Sequence, residues 1–155
     1  MAVENLDTVD RRILNALQED GRISNAELAR RCNLSPAACF ERVRRLRDRQ
    51  VITGYAALID PAKVGRGLMI FVEVLLDRTT GDQFEAFAEM VRRQPEVLEC
   101  HMVAGGFDYL IKARVGDMDA YRIFLGNVLT RMPGVRETRT YAVLEEVKST
   151  TALPL

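Results

Sequence analysis

The stretch RISNAELARRCNLSPAACFERVRRLRDR, Arg22 to Arg49, reads as two short helices joined by a tight turn. Ser24 followed by Glu27 is a capping-box pattern, in which the hydroxyl accepts from the Glu27 N–H and the Glu27 carboxylate reaches back to the N–H of Ser24. Leu28, Ala29 and Cys32 then give one apolar stripe, which Asn33-Leu34 interrupts. Ser35-Pro36 opens the next helix, with Ser at the N-cap and Pro at the first helical position, where a missing N–H costs nothing. Cys39, Val43 and Leu46 fall at i, i+4 and i+7 and predict its buried seam. At about 100° per residue, Ala37, Glu41, Arg44 and Asp48 lie opposite that seam, with Ala38 and Arg45 beside them. Small residues at the N-terminal end and arginines further along suit a helix lying in the major groove of double-stranded DNA. The expected DNA-contacting set is Ser24, Asn25, Ser35, Pro36, Ala37, Ala38, Glu41, Arg42, Arg44 and Arg45.

Charge supports this placement. The stretch holds eight arginines against three acids, a local balance of +5, whereas the whole chain carries 22 basic and 22 acidic residues and is neutral. A neutral DNA binder must segregate its positive charge, and this chain does so. An arginine-rich helix is also what a solvated face looks like; two consecutive capped helices with a shared seam tip the reading towards DNA.

The chain has 155 residues with 48% hydrophobic content, enough for one medium domain or two small ones with real cores. No run of 18 apolar residues occurs, so no membrane partner is expected. The N-terminal MAVENLDTVDRR has no signal-peptide core, and a cytoplasmic protein is expected. Three cysteines, Cys32, Cys39 and Cys100, read as reduced, buried thiols. His101 is the sole histidine, and Cys100-His101 has no second cluster to complete a metal site, so no metal or other cofactor is expected.

A first helix from Asp7 or Thr8 to about Glu19, with Val9, Ile13, Leu14 and Leu17 at helical spacing, should pack under the helix pair. Val51–Ile59 reads as a short, partly exposed strand, and the domain boundary falls between Ile59 and Gly67. This predicts a DNA-binding domain over 1–60, a linker over 61–67, a second domain over 68–148 and a loose tail over 149–155.

The second half reads as a strand (68–76), a helix (82–94), a strand (97–104), a strand (107–115), a helix (117–132) and a long strand (135–147). Gly105-Gly106 reads as a hairpin turn tolerating positive φ, and Met118 and Val143 as core. The order β-α-β-β-α-β is the ferredoxin-like arrangement, so the fold class is α+β, with a helix-turn-helix, winged-helix-like N-terminal domain. Both helices would cover one sheet face. Phe71 and Leu75 alternate with Ile70, Val72 and Val74, so the bare face should also be apolar and should attract a second copy of the chain.

Four pieces resemble the leucine-responsive regulatory protein (Lrp)/AsnC family of bacterial transcription regulators, and the leucine-responsive branch above all. They are LDTVDRRILNALQEDGRISNAELARR (6–31), LSPAACFERVRRLRDRQVITGY (34–55), VLECHMVAGGFDYLIKARVGDMDAYRIFL (97–125) and MPGVRETRTYAVLEEVK (132–148). The resemblance covers about residues 6 to 148, with both halves in order. It implies a DNA-binding first half and a second half that senses an effector and assembles dimers, which often associate into tetramers or octamers. It also implies a free amino acid as effector, leucine or another, bound between subunits. The effector-binding positions it implies are Met102, Gly105, Gly106, Asp108, Met118, Tyr141, Ala142 and Val143. Gly106 replaces an acid of the leucine-responsive branch and Ala142 a valine, which implies a roomier cleft.

Three functions compete: an effector-responsive regulator, an architectural DNA-wrapping protein without an effector, and a small-molecule enzyme. The enzyme fares worst, because no nucleophile-base set, paired catalytic carboxylates or P-loop is present in the sequence.

Overall fold

The computed structural model describes residues 5–77 and 80–155. The chain divides into two compact units, one of residues up to Leu58 together with Lys148–Leu155, the other of Ile59–Val147.

The first unit is built on three helices, α1 (Thr8–Glu19), α2 (Asn25–Cys32) and α3 (Pro36–Asp48). Each starts at a side-chain cap. Asp7 accepts from the Asp10 N–H, Ser24 from the Glu27 N–H and Ser35 from the Ala38 N–H. Asn33 ends α2 in the left-handed region, at φ 55°, where its N–H and that of Leu34 take up the final carbonyls. The core joins Ile13, Leu14 and Ala16 of α1 to Leu28, Ala29 and Cys32 of α2 and Cys39 and Leu46 of α3.

Two expectations fail in this unit. Val51–Ile59 forms no strand: its N–H groups at Val51 and Ile52 both return to Leu46, and no partner strand lies in the unit among the described residues. The tail over 149–155 is not loose. The Gln18 side-chain amide pairs with the Leu153 backbone, accepting its N–H at 2.6 Å and donating to its carbonyl at 3.1 Å.

The second unit is a four-stranded antiparallel sheet in the order β2-β3-β1-β4, from β1 (Leu68–Leu76), β2 (Val97–Met102), β3 (Tyr109–Val115) and β4 (Val135–Ala142). Two helices, α4 (Gly81–Arg92) and α5 (Met118–Asn127), cover one face, and a single 3₁₀ turn (Leu129–Arg131) follows α5. The covered face is the core. Ile70, Val72, Val74 and Leu76 alternate inward on β1, as do Tyr109, Ile111, Ala113 and Val115 on β3, against Phe87, Val91, Tyr121 and Phe124. Phe87 and Tyr109 pack at 4.5 Å between ring centroids.

The other face differs from expectation. Its β1 positions are Phe71, Glu73 and Leu75, but the registers set Lys112 and Tyr141 beside Phe71, Leu110 and Arg139 beside Glu73, and Glu137 beside Leu75. Leu110 and Tyr141 extend the apolar stripe to the neighbouring strands, but Glu73, Lys112, Arg139 and Glu137 interrupt it. β4 also ends before the expected Val147, because its partner β1 begins at Leu68; the last link is the Val143 N–H to the Met69 carbonyl.

Candidate functional site

In the first unit the helix pair is locked before any ligand is considered. Asn25 donates its side-chain amide to the Pro36 carbonyl at 2.8 Å, tying the start of α2 to the start of α3. The Ser24 and Ser35 hydroxyls serve as caps. The capping box is half made. The Glu27 carboxylate does not return to Ser24; Arg30 and Arg31 hold it instead, at 2.7 and 3.2 Å, which keeps its carboxyl down at about 2. A bidentate guanidinium one turn along outcompetes a single backbone N–H.

Pro36, Ala37 and Ala38 stand exposed at the N-terminal end of α3, a small-residue surface that a base edge could approach. Glu41 and Arg44 pair with each other at 2.5 Å on the same solvent side. Arg42 and Arg45 turn towards α1, where both meet Asp10. An open groove of about 590 Å³ runs between Arg44 and Arg47 of α3 and the segment Ile52–Tyr55. Sequence reasoning missed Arg47 and Thr53 as part of this surface, because 51–59 looked like a strand rather than a flank of the helix pair.

In the second unit the eight expected effector residues fall into two groups at opposite ends of β1. Met102 pairs with Tyr109, which pairs with Val74; Asp108 donates its N–H to the Val74 carbonyl; and Gly105 and Gly106 lie in the loop between. Tyr141 and Ala142 pair with Phe71 and Ile70, Val143 reaches Met69, and Met118 starts the helix just after Val115, the partner of Leu68. The first group meets β1 at Val74–Leu76 and the second at Leu68–Phe71, three residues apart at the nearest, about 10 Å at ~3.3 Å per residue. Within one chain the two groups meet different stretches of β1.

Several of these positions have an environment that the sequence misjudged. Met118 is 57% exposed rather than core, and Met102 and Tyr141 are 59% and 50% exposed. Gly105 and Gly106 do not take positive φ, and open space surrounds both. The Asp108 carboxylate caps no turn within its own loop; its Oδ2 accepts the Leu76 N–H at 2.8 Å, on the far side of the irregular pairing at the end of β1. Tyr141 donates its hydroxyl to Glu73 at 3.1 Å, and Glu73, as the first cause, pushes the phenol up. Glu73, Arg139 and Glu137 line a shallow depression with Gly106 and Phe107. Glu73 thus lies between the two groups, and its signal was visible as the one charge in an apolar strand.

Burial disfavours the thiolate at all three cysteines. It pushes Cys32 and Cys39 up, and Cys100 up to about 11. Among the described residues no three of His, Cys, Asp and Glu gather as a metal site, and no helix is long and apolar enough to cross a membrane.

Comparison with known proteins agrees with both units. Residues 6–53 match the winged helix-turn-helix DNA-binding family, and residues 69–153 match the Lrp/AsnC ligand binding domain. The chain is 53% identical over 150 residues to the leucine-responsive regulatory protein of Escherichia coli K12, covering 97% of this chain and 92% of that protein; the same protein of Klebsiella pneumoniae matches equally. Among solved structures, a transcriptional regulator of Neisseria meningitidis in complex with L-Met superposes with a TM-score of 0.93 at 42% identity, covering 97% of each chain. Escherichia coli AsnC superposes with a TM-score of 0.89 at 26% identity, covering 97% of this chain and all of that one. With a helix-turn-helix unit followed by a four-stranded α+β unit, each matched over its length, the chain belongs to the Lrp/AsnC family of DNA-binding, ligand-responsive transcription regulators.

Proposed function

We propose that this protein is a cytoplasmic, non-enzymatic regulator that binds specific double-stranded DNA through α2 and α3. In this reading its assembly or DNA binding is set by a free amino acid held between subunits. On the DNA side the contacting surface is the exposed N-terminal end of α3 with Arg44, flanked by Arg47 and Thr53. On the effector side the observation that carries the reading is the separation of the two groups along β1. A site that needs both ends of the sheet can be completed when a second chain brings its loop at Gly105–Asp108 to the first chain's Met118 and Tyr141–Val143. The exposure of Met102 in one group and of Met118 and Tyr141 in the other supports this, since each group leaves large apolar side chains uncovered. The ligand chemistry follows. The glycine loop leaves backbone N–H groups open to an α-carboxylate, and Asp108 supplies an acceptor for the α-ammonium. The apolar Met118 and Val143 suit an uncharged side chain. The relatives are named for leucine and the Neisseria meningitidis protein holds L-Met, two side chains of similar volume.

A thermal-shift screen of the full chain with the twenty amino acids tests the reading. A ligand that binds only the folded state at a hundred times its Kd adds about 2.7 kcal/mol of stability. We expect leucine, methionine or a similar apolar amino acid to raise Tm. A flat response to all twenty, with DNA binding intact, would leave an architectural DNA-wrapping protein instead.

A further inference from the structure

α3 carries its arginines in two different settings. Among the described residues Arg44 opposes Glu41 on its own exposed face, an i, i+3 pair that a phosphate can readily replace. Arg42 and Arg45 oppose acids fixed on another helix. Asp10, in the first turn of α1, is 2% exposed and lies in the unit's core beside Ile13 and Leu14. Arg42 Nη1 approaches its Oδ1 at 2.8 Å, and Arg45 Nη2 lies 3.3 Å from each of its oxygens. Asp7, the α1 N-cap, takes the same Arg42 nitrogen at 2.7 Å. Two carboxylates of α1 therefore face two guanidiniums of α3, and the charges cancel within the domain.

A buried carboxylate is tolerated only while paired, so drawing both arginines away from Asp10 would strand its charge in the core. A DNA phosphate that takes Arg45 alone leaves Asp10 with Arg42 at 2.8 Å and meets only part of that penalty, whereas one competing for Arg44 displaces an exposed, weak partner. Resting on the DNA-binding reading, we propose that Asp10 is a positioning residue that withholds Arg45, and with Asp7 also Arg42, from DNA phosphates. It thereby sets how many charges α3 offers to DNA. The sequence-independent phosphate attraction is trimmed, and the contacts at the exposed end of α3 weigh more in choosing a site. The proposal removes Arg42 and Arg45 from the expected DNA-contacting set.

Fluorescence anisotropy of the full chain with a labelled duplex of random sequence, over a salt series, tests it without knowledge of the operator. Asp10→Asn keeps the shape and an acceptor oxygen but removes the charge that holds Arg45; Arg42 keeps Asp7. The variant should bind the random duplex more tightly at low salt, and the slope of log K against log salt should steepen by about 0.9, one added phosphate contact. Adding Arg45→Gln should cancel that change, and Arg45→Gln alone should leave the slope where it was. A merely structural Asp10 would instead lower Tm and weaken binding at an unchanged slope, and that result overturns the proposal. Should Asp10→Asn not fold, Arg45→Gln alone decides: a slope shallower by about 0.9 would put Arg45 on a phosphate and overturn it. Absence of binding by the unsubstituted chain at low salt would overturn the DNA-binding reading itself, before any substitution is compared.

Discussion

At the scale of single residues, Asp108 and Arg44 show how one side chain can carry a local and a functional role. Asp108 Oδ2 accepts the Leu76 N–H, so truncation to Ala would leave that donor unmatched at a cost of about 1–3 kcal/mol if it stays buried. Asp108→Asn separates the roles. The amide oxygen keeps the Leu76 bond, but the charge that would meet an α-ammonium is gone. We expect an unchanged Tm without ligand, unchanged DNA binding and a loss of effector binding by calorimetry; ligand affinity equal to that of the unsubstituted chain would reduce Asp108 to a clasp on β1. For Arg44, the partner Glu41 is exposed and the pair contributes little, so Arg44→Ala should leave the fold intact and weaken DNA binding. If the lost contact is to a guanine edge, the cost is about 1–3 kcal/mol and confined to the cognate site; if it is to phosphate, all sequences weaken alike and the salt slope falls by about 0.9. Gel-shift titration over a salt series distinguishes these, and unchanged affinity would mean that α3 docks on another face.

At the scale of elements, chain ends and turns decide where each strand and helix stops. α4 ends at Arg92, two residues before the expected Gln94, because Arg93 and Gln94 turn their N–H groups back to Met90 and Val91 ahead of Pro95. The return into β4 passes through Gly134 at φ +73°, where an added Cβ would sit 2.6 Å from Gln83 Oε1. That oxygen is buried without a hydrogen-bond partner among the described residues, at the far end of a flexible side chain. Gly134→Ala therefore combines left-handed backbone strain with a clash, and should destabilise by more than about 1 kcal/mol in thermal melting. A Tm equal to that of the unsubstituted chain would show that the α4 start yields freely.

At the scale of the whole molecule, the division into two units makes a direct prediction. The α+β unit has its own core on Ile70, Val72, Ile111, Phe87 and Phe124, and its uncovered face carries Phe71, Leu75, Leu110 and Tyr141 among charges. A fragment spanning 59–147 should fold and self-associate without the DNA-binding unit. Sedimentation would check this, and a stable monomer would contradict assembly through this unit. The fragment must stop at 147, because Leu153 belongs to the first unit through Gln18.

The sequence by itself determined whatever is encoded within a few residues or in a period. The Ser24 and Ser35 caps, the three helices, the Cys39–Leu46 seam, the β-α-β-β-α-β order and the inward alternation of β1 and β3 all follow from local hydrogen-bonding chemistry and from burial of one face. The quoted motifs were also enough to suggest the family that the comparisons establish. Only the tertiary structure decided which partner each charge takes. Arg44 and Arg45 are neighbours in sequence, yet one faces Glu41 on its own helix and the other a buried acid 35 residues away. Only the strand registers showed that Gly105–Asp108 and Tyr141–Val143 lie at opposite ends of one sheet, and that charges interrupt the apolar stripe on its open face. Likewise Val51–Leu58 has a strand's composition but no partner strand among the described residues of its unit. Pairing between distant segments depends on where the whole chain places them, and that information is not local.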